Sequence, residues 1–166
     1  MGVLTRAFKA AWAEMTKPAT HVAGDEFEQY VRKYLFPKEG YDLVHQTHDY
    51  EANKNDFVET SKEPDFRFRS KRSGREFLVE AKYRSRLYQG AVEWCKLYQL
   101  KRYKTIDRAM SVFIAIGLGG LPESPEHVYI VPVKDVRYLR LFPSFLRDYE
   151  VPADQCINAD RILLSL

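Results

Sequence analysis

The spacing of apolar residues predicts two helices at the start of the chain. Over residues 3 to 16 they recur at helical spacing, which predicts an amphipathic helix that ends before Pro18. Asp25 followed by Glu28 has the spacing of a capping box and predicts a second helix that runs to Pro37. The apolar stripe of the first helix favours packing on the core, or pairing with another subunit or a partner protein, over membrane contact.

Alternation of apolar and polar residues predicts strands in the middle of the chain. A strand is expected over residues 41 to 47, and a polar connection without clear period over 48 to 63. Alternating residues from Asp65 and again from Glu76 to Tyr83, with turn residues between them, predict a β-hairpin.

The second half of the chain predicts one further helix and three strands. The helix is expected from Gly90 to about Tyr103, with its core face formed by Ala91, Trp94, Leu97 and Tyr98. The predicted elements after it are strands over 112–118 and 128–133, separated by a loop, then helical turns over 139–146 and a closing strand over 162–166.

This order of elements predicts an α/β fold, a mixed central β-sheet flanked by helices, in one domain spanning residues 1 to 166. The longest apolar run, Val112 to Leu118, is far shorter than the roughly 20 residues that span a bilayer. Charged residues interrupt the N-terminal segment, which argues against a secretory signal. We therefore expect a cytoplasmic protein without membrane contact.

Positive charge is concentrated in one segment. The chain has a net charge of only +3, yet residues 66 to 108 contain 13 Lys and Arg against 4 Asp and Glu. Such a segment attracts polyanions such as DNA and supplies phosphate contacts. The alternative is that these side chains only solvate a helix and a hairpin.

Three residues in this part of the chain have the chemistry of a metal-dependent hydrolase. Glu80 and Lys82 are two residues apart on one strand, so their side chains point to the same face. A hairpin turn would bring the Asp65 carboxylate towards Glu80. Magnesium is usually held by one or two carboxylates together with waters and substrate phosphate.

These residues also resemble a family motif. Pro64-Asp65, fourteen intervening residues and then Glu80-Ala81-Lys82 resemble the PD-(D/E)XK signature of the restriction-endonuclease-like nuclease superfamily. The resemblance implies a restriction-endonuclease-like fold and a Mg²⁺-dependent phosphodiesterase that acts on DNA, with Mn²⁺ as a substitute. It also implies that Asp65 and Glu80 bind the metal and that Lys82 positions and polarises the attacking water.

Two further positions extend the resemblance. Glu28 lies on a predicted helix upstream, where the superfamily often carries an additional metal ligand, although it could merely complete the capping box. Gln99 and Tyr103 resemble the Q-x-x-x-Y motif of RecB-like members, and their spacing places both on one helical face. The resemblance implies that the amide and the phenol orient substrate phosphate or Lys82. The alternative for this pair is an ordinary surface Gln beside a half-buried Tyr.

Phosphate contacts are expected from basic residues near the motif, namely Arg84, Arg86, Lys101, Arg102 and Lys104. Because no side chain is arranged to distinguish bases, cleavage should be structure-directed or weakly sequence-dependent. Cys95 and Cys156 lack the spacing of a zinc or iron–sulfur site, so neither is expected. The rival hypotheses are a non-catalytic nucleic-acid-binding module and a protein-interaction module with the same fold.

Overall fold

The structure is a computed structural model that describes residues 19–47 and 63–164. The helix predicted over 3 to 16 and almost all of the polar connection predicted over 48 to 63 lie outside the described residues.

The secondary structure consists of four α-helices and eight strands within these ranges. The helices are α1 (Ala19–Tyr30), continued by a π-helical turn (Val31–Leu35), α2 (Leu97–Asp107), α3 (Pro143–Leu146) and α4 (Ala159–Leu164). The strands are β1 (Tyr41–Gln46), β2 (Phe66–Ser70), β3 (Glu76–Arg84), β4 (Val92–Glu93), β5 (Val112–Leu121), β6 (Ser124–Pro132), β7 (Arg140–Leu141) and β8 (Glu150–Val151).

Six of these strands form one mixed sheet in the order β1-β2-β3-β5-β6-β8. Neighbouring strands are antiparallel except β3 and β5, which run parallel with Glu80 opposite Ile114. A parallel pair needs a crossover, and the chain between β3 and β5 supplies it through β4 and α2. The predicted α/β fold with a mixed central sheet flanked by helices is confirmed.

The sheet separates two hydrophobic cores. On one face α1 packs through Phe27 and Tyr30 against an aromatic cluster, and on the other α2 packs through Leu100 and Tyr103. Gly117 on β5 permits the close approach of α1, because a Cβ atom there would lie 2.5 Å from Cε2 of the fully buried Phe27 ring. Both faces of the central strands are therefore buried.

The predicted start of the second helix was wrong. The chain is already helical at Ala19, so Asp25 lies inside α1 and does not cap it. The predicted buried face is correct for Phe27, Val31 and Leu35, none of which has measurable exposure. A pair with capping-box spacing in the middle of a helix has no free backbone N–H groups to cap, which explains the error.

The helix predicted from Gly90 was also wrong in its first half. Ala91 and Trp94 are buried as expected, but they belong to a segment in which β4 pairs with the distant β7. The helix begins only at Leu97, which is 54% exposed, and Tyr98 is 56% exposed. Local apolar spacing could not distinguish these buried residues from a helical stripe.

Two predicted elements near the end of the chain differ from the structure. The loop expected between the 112–118 and 128–133 strands is mostly strand, because β5 and β6 extend to a two-residue turn after Gly119 and Gly120. The closing strand expected over 162–166 is wrong for its described part, where α4 lies with Ile162 against the core. The short β8 closes the sheet instead.

Candidate active site

The site forms where β3 extends beyond the end of its partner β2. Pairing between the two strands ends at Phe66 and Val79, so the next residues of β3 have a strand neighbour only on the β5 side. Glu80 and Lys82 project from this segment towards the same face, as predicted, and Lys82 Nζ lies 2.6 Å from Glu80 Oε1. Glu80 is only 3% exposed, so this ion pair is largely removed from solvent.

Asp65, the residue immediately before β2, contacts the same segment of β3. Its Oδ2 accepts a hydrogen bond of 2.7 Å from the Ala81 N–H, a group that the β2 ladder does not reach. Burial raises the pKa of the Asp65 carboxyl well above its usual range, and the negative charges of Glu80 and Glu28 raise it further. These effects outweigh the Lys82 charge and the Ala81 N–H, both of which lower the pKa of Asp65.

Lys82 remains an ammonium group at neutral pH. Burial lowers its pKa, but the nearby charges of Glu80 and Asp65 raise it more, and the net pKa is above the ordinary lysine value. A protonated lysine between two carboxylates can donate to a water or a phosphate oxygen. It cannot act as a base in this state.

Tyr103 reaches the site from α2, on the opposite side of the ion pair. It is 3% exposed, and its hydroxyl donates a hydrogen bond of 2.8 Å to Glu80 Oε2. The two Glu80 oxygens thus have different partners, Lys82 and Tyr103, which fix the carboxylate plane. Burial and the Glu80 charge raise the pKa of Tyr103, so it donates as a neutral phenol.

Tyr103→Phe should destabilise the fold by about 1–3 kcal/mol, because it leaves a buried carboxylate oxygen without its donor. Urea unfolding of the variant and the wild type would measure this difference. The matched control is Tyr138→Phe at a side chain that is 72% exposed, where the free energy of unfolding should not change. Equal stability of the Tyr103 variant and the control would show that the contact does not hold Glu80.

Glu28 and Gln99, predicted to extend the site, are placed differently. Glu28 Oε2 accepts a bond of 3.3 Å from Gln46 Nε2, and its charge acts on Asp65, so it faces the site from α1. Gln99 accepts the Lys96 backbone N–H at 3.0 Å and thereby caps the start of α2. Gln99 and Tyr103 share a helix as predicted, but only Tyr103 contacts Glu80.

The donor atoms suit a hard divalent cation. The charge of Glu80 acts on the Asp65 carboxyl, and Mg²⁺ needs only one or two carboxylates when water and phosphate complete its shell. Across the described ranges, no three Asp, Glu, His or Cys side chains are gathered closely enough to enclose an ion by themselves.

A cleft of about 320 Å³ opens beside Lys82. Its lining contains four basic residues and one acidic residue, Glu93, and includes the predicted Arg84, Arg86 and Gln99. Arg84 is held by backbone carbonyls, since its Nε donates to Glu93 O at 3.0 Å and Nη1 to Tyr83 O at 2.8 Å. The cleft is therefore positively charged and continuous with the ion pair.

The other predicted phosphate-binding residues lie on α2 outside the cleft lining. Lys104 Nζ donates to the Lys134 carbonyl at 3.0 Å, and Arg102 lies over the Tyr98 ring at 5.6 Å. Lys101 is exposed on the same helix. The structure thus gathers Arg84 and Arg86 at the site and leaves Lys101, Arg102 and Lys104 along a neighbouring surface.

Sequence reasoning did not place six of the lining residues at the site, namely Tyr88, Ala91, Glu93, Trp94, Cys95 and Lys96. Lys96 belongs to the basic segment, but the helix predicted from Gly90 included it. In the structure Lys96 lies immediately before α2. Burial, together with the Glu80 charge, raises the pKa of Cys95 to about 12. Its thiol stays protonated at neutral pH, which excludes it as a nucleophile of this cleft.

Comparison with known proteins finds a structural similarity but no match of sequence. No family model matches the chain, and no curated protein matches its sequence. Among solved structures it is similar to Hjc, a Holliday junction resolvase of the archaeal hyperthermophile Archaeoglobus fulgidus, with a TM-score of 0.45 and 14% identity over 68% of this chain and 83% of the resolvase. No helix within the described ranges is long and apolar enough to cross a membrane.

Proposed function

We propose that this chain is a metal-dependent nuclease of the PD-(D/E)XK type that hydrolyses phosphodiester bonds of DNA. The observation that carries the proposal is the meeting of Asp65, Glu80 and Lys82 at the free end of β3, beside a basic cleft. Burying two acids and a lysine together is costly for a structural site, since each charge must be desolvated. A bound cation and a phosphodiester would use all three groups.

The residues take distinct roles in this proposal. Asp65 and Glu80 would hold the cation, Mg²⁺ or Mn²⁺, and Glu28, whose charge acts on Asp65, would complete the metal shell. Once bound, such a cation neutralises charge on the phosphate and generates a nucleophile from water. Lys82 would donate to the attacking water or to a non-bridging oxygen, and the Ala81 N–H keeps the Asp65 carboxylate oriented.

Substrate binding would follow from the charge of the cleft. Arg84 and Arg86 lie two and four residues after Lys82, so the same strand and its continuation carry both catalysis and phosphate contacts. Gln99 would donate from the start of α2, where backbone N–H groups also favour an anion. Lys101, Arg102 and Lys104 would extend the contact to flanking phosphates.

Asp65→Asn separates this proposal from a structural role of the same residue. The amide keeps an oxygen to accept the Ala81 N–H but loses the charge that a cation needs. We expect cleavage of labelled DNA in Mg²⁺ or Mn²⁺ to fall to the level seen with chelator. Because a buried charge is removed, thermal stability without metal should be equal or higher.

Metal binding has a second readout in the same variant. A ligand that binds only the folded state raises the melting temperature, so Mn²⁺ should stabilise the wild type and leave Asp65→Asn unchanged. Asp42→Asn, an exposed carboxylate that pairs with Lys71 at 3.5 Å, is the matched control and should behave like the wild type. Chelator-resistant cleavage that is equal in all three proteins would indicate a contaminating nuclease and defeat the proposal.

A further inference from the structure

A tight turn presents an exposed tyrosine at the rim of the cleft. Tyr88 and Ala91 exchange two backbone hydrogen bonds, of 2.9 Å and 3.1 Å, across Gln89 and Gly90. Gln89 has φ of 49° and Gly90 has φ of 76°, the positive values of a two-residue hairpin turn of type I′. Gln89 is not a glycine, so this conformation persists only because its surroundings impose it.

Arg140 holds this turn in place from a second, two-stranded sheet that β4 and β7 form. Its Nη2 donates to the carbonyl oxygens of both Tyr88 and Gln89, each at 3.1 Å. Arg140 belongs to β7, where it pairs with Glu93 of β4. β4, which follows the turn, therefore pairs with the strand that carries Arg140, and the turn is braced by hydrogen bonds within the fold.

The Tyr88 side chain contributes little to the packing of the fold. It is 63% exposed, whereas the neighbouring Ala91 and Trp94 are buried. It also lines the cleft together with its four basic residues, Lys82, Arg84, Arg86 and Lys96. An exposed aromatic ring on a rigid support beside a cationic groove is the combination that binds single-stranded nucleic acid, through base stacking and phosphate contacts.

We propose that Tyr88 stacks on an unpaired base, so the preferred ligand of the site is DNA with single-stranded nucleotides, at an end, a gap or a branch. This deepens the proposed function and rests on it for the identity of the polyanion. In a continuous duplex, each base is covered on both faces by its neighbours and offers no free face to the ring. A base in a frayed end or in a single strand offers a free face.

Binding measured without metal tests this inference apart from cleavage. Fluorescence anisotropy in chelator would compare a labelled single-stranded oligonucleotide with a labelled, covalently closed duplex minicircle, which has no terminal base pair with a free face. We expect Tyr88→Ala to weaken binding to the single strand about 10-fold, the loss of one stacked base, and to leave duplex binding unchanged. Tyr88→Phe keeps the ring and should bind like the wild type.

Tyr138→Ala is the matched control, because Tyr138 is 72% exposed and lies next to β7 but does not line the cleft. It should not affect binding to either DNA. The inference is overturned if Tyr88→Ala leaves single-strand binding intact, if it weakens both DNAs equally, or if Tyr138→Ala has the same effect. Wild-type preference for the single strand without any metal-dependent cleavage would instead retain the inference and remove the nuclease.

Discussion

Lys82→Met is expected to lower the rate of DNA cleavage by a factor of about 10²–10⁴, the range over which one positioned proton-donating or proton-accepting group contributes to hydrolysis. Methionine keeps the length and the apolar stem of the side chain and removes only the ammonium group, which lies 2.6 Å from Glu80. Single-turnover cleavage in saturating Mg²⁺ measures the chemical step without interference from product release.

The same variant should still bind metal. Asp65 and Glu80 remain, so Mn²⁺ should raise the melting temperature of Lys82→Met as it does for the wild type, in contrast to Asp65→Asn. Lys71→Met is the control, at a lysine that is 45% exposed in the β2–β3 turn and pairs with Asp42. Wild-type rates in Lys82→Met would exclude this ammonium from the reaction.

Phe77→Ala should have the largest effect on stability, a loss of about 3–5 kcal/mol in the free energy of unfolding. The ring is completely buried. Its centroid lies 5.3 to 5.9 Å from the centroids of four other rings, those of Phe36, Tyr41, Phe68 and Phe113. Since domains of this size have a free energy of unfolding of only about 5–15 kcal/mol, the variant would lose a large part of its stability.

Urea unfolding of Phe77→Ala measures this loss, and Phe142→Ala provides the matched control. Phe142 is 52% exposed, so its truncation should change the unfolding free energy by no more than about 0.5 kcal/mol. Similar values for the two variants would contradict the view that this aromatic cluster, which connects the end of α1 to β1, β2, β3 and β5, holds the sheet together.

The predictions for Lys82 and Phe77 concern residues of the same strand, β3. Phe77 anchors the beginning of the strand in the aromatic core, and Glu80 and Lys82 project from its far end into the site. A loss of packing at Phe77 would therefore also loosen the proposed catalytic groups. Activity measured at a temperature where Phe77→Ala remains folded distinguishes the direct role of Lys82 from this indirect one.

Some errors of prediction have a common physical origin. The sequence from Gly90 onwards contains buried residues at spacings that fit a helix, yet β4 forms because β7, almost 50 residues later, supplies its pairing partner. Trp94 donates its indole N–H to the Tyr138 carbonyl at 3.2 Å, another contact with the same distant segment. Tertiary pairing overrides local spacing when the partner is not a neighbour in the chain.

Local rules determined strand β3, which carries the proposed catalytic residues, and the hairpin that it forms with β2. A side chain alternates sides with every residue of a strand, so Glu80 and Lys82 had to share a face, and a short turn brought Asp65 to the same end. What only the tertiary structure decided is the cleft, the Tyr103–Glu80 contact and the position of Tyr88. Each of these depends on a crossover and a second sheet that place distant segments together, and no periodicity within either segment specifies where the two will meet.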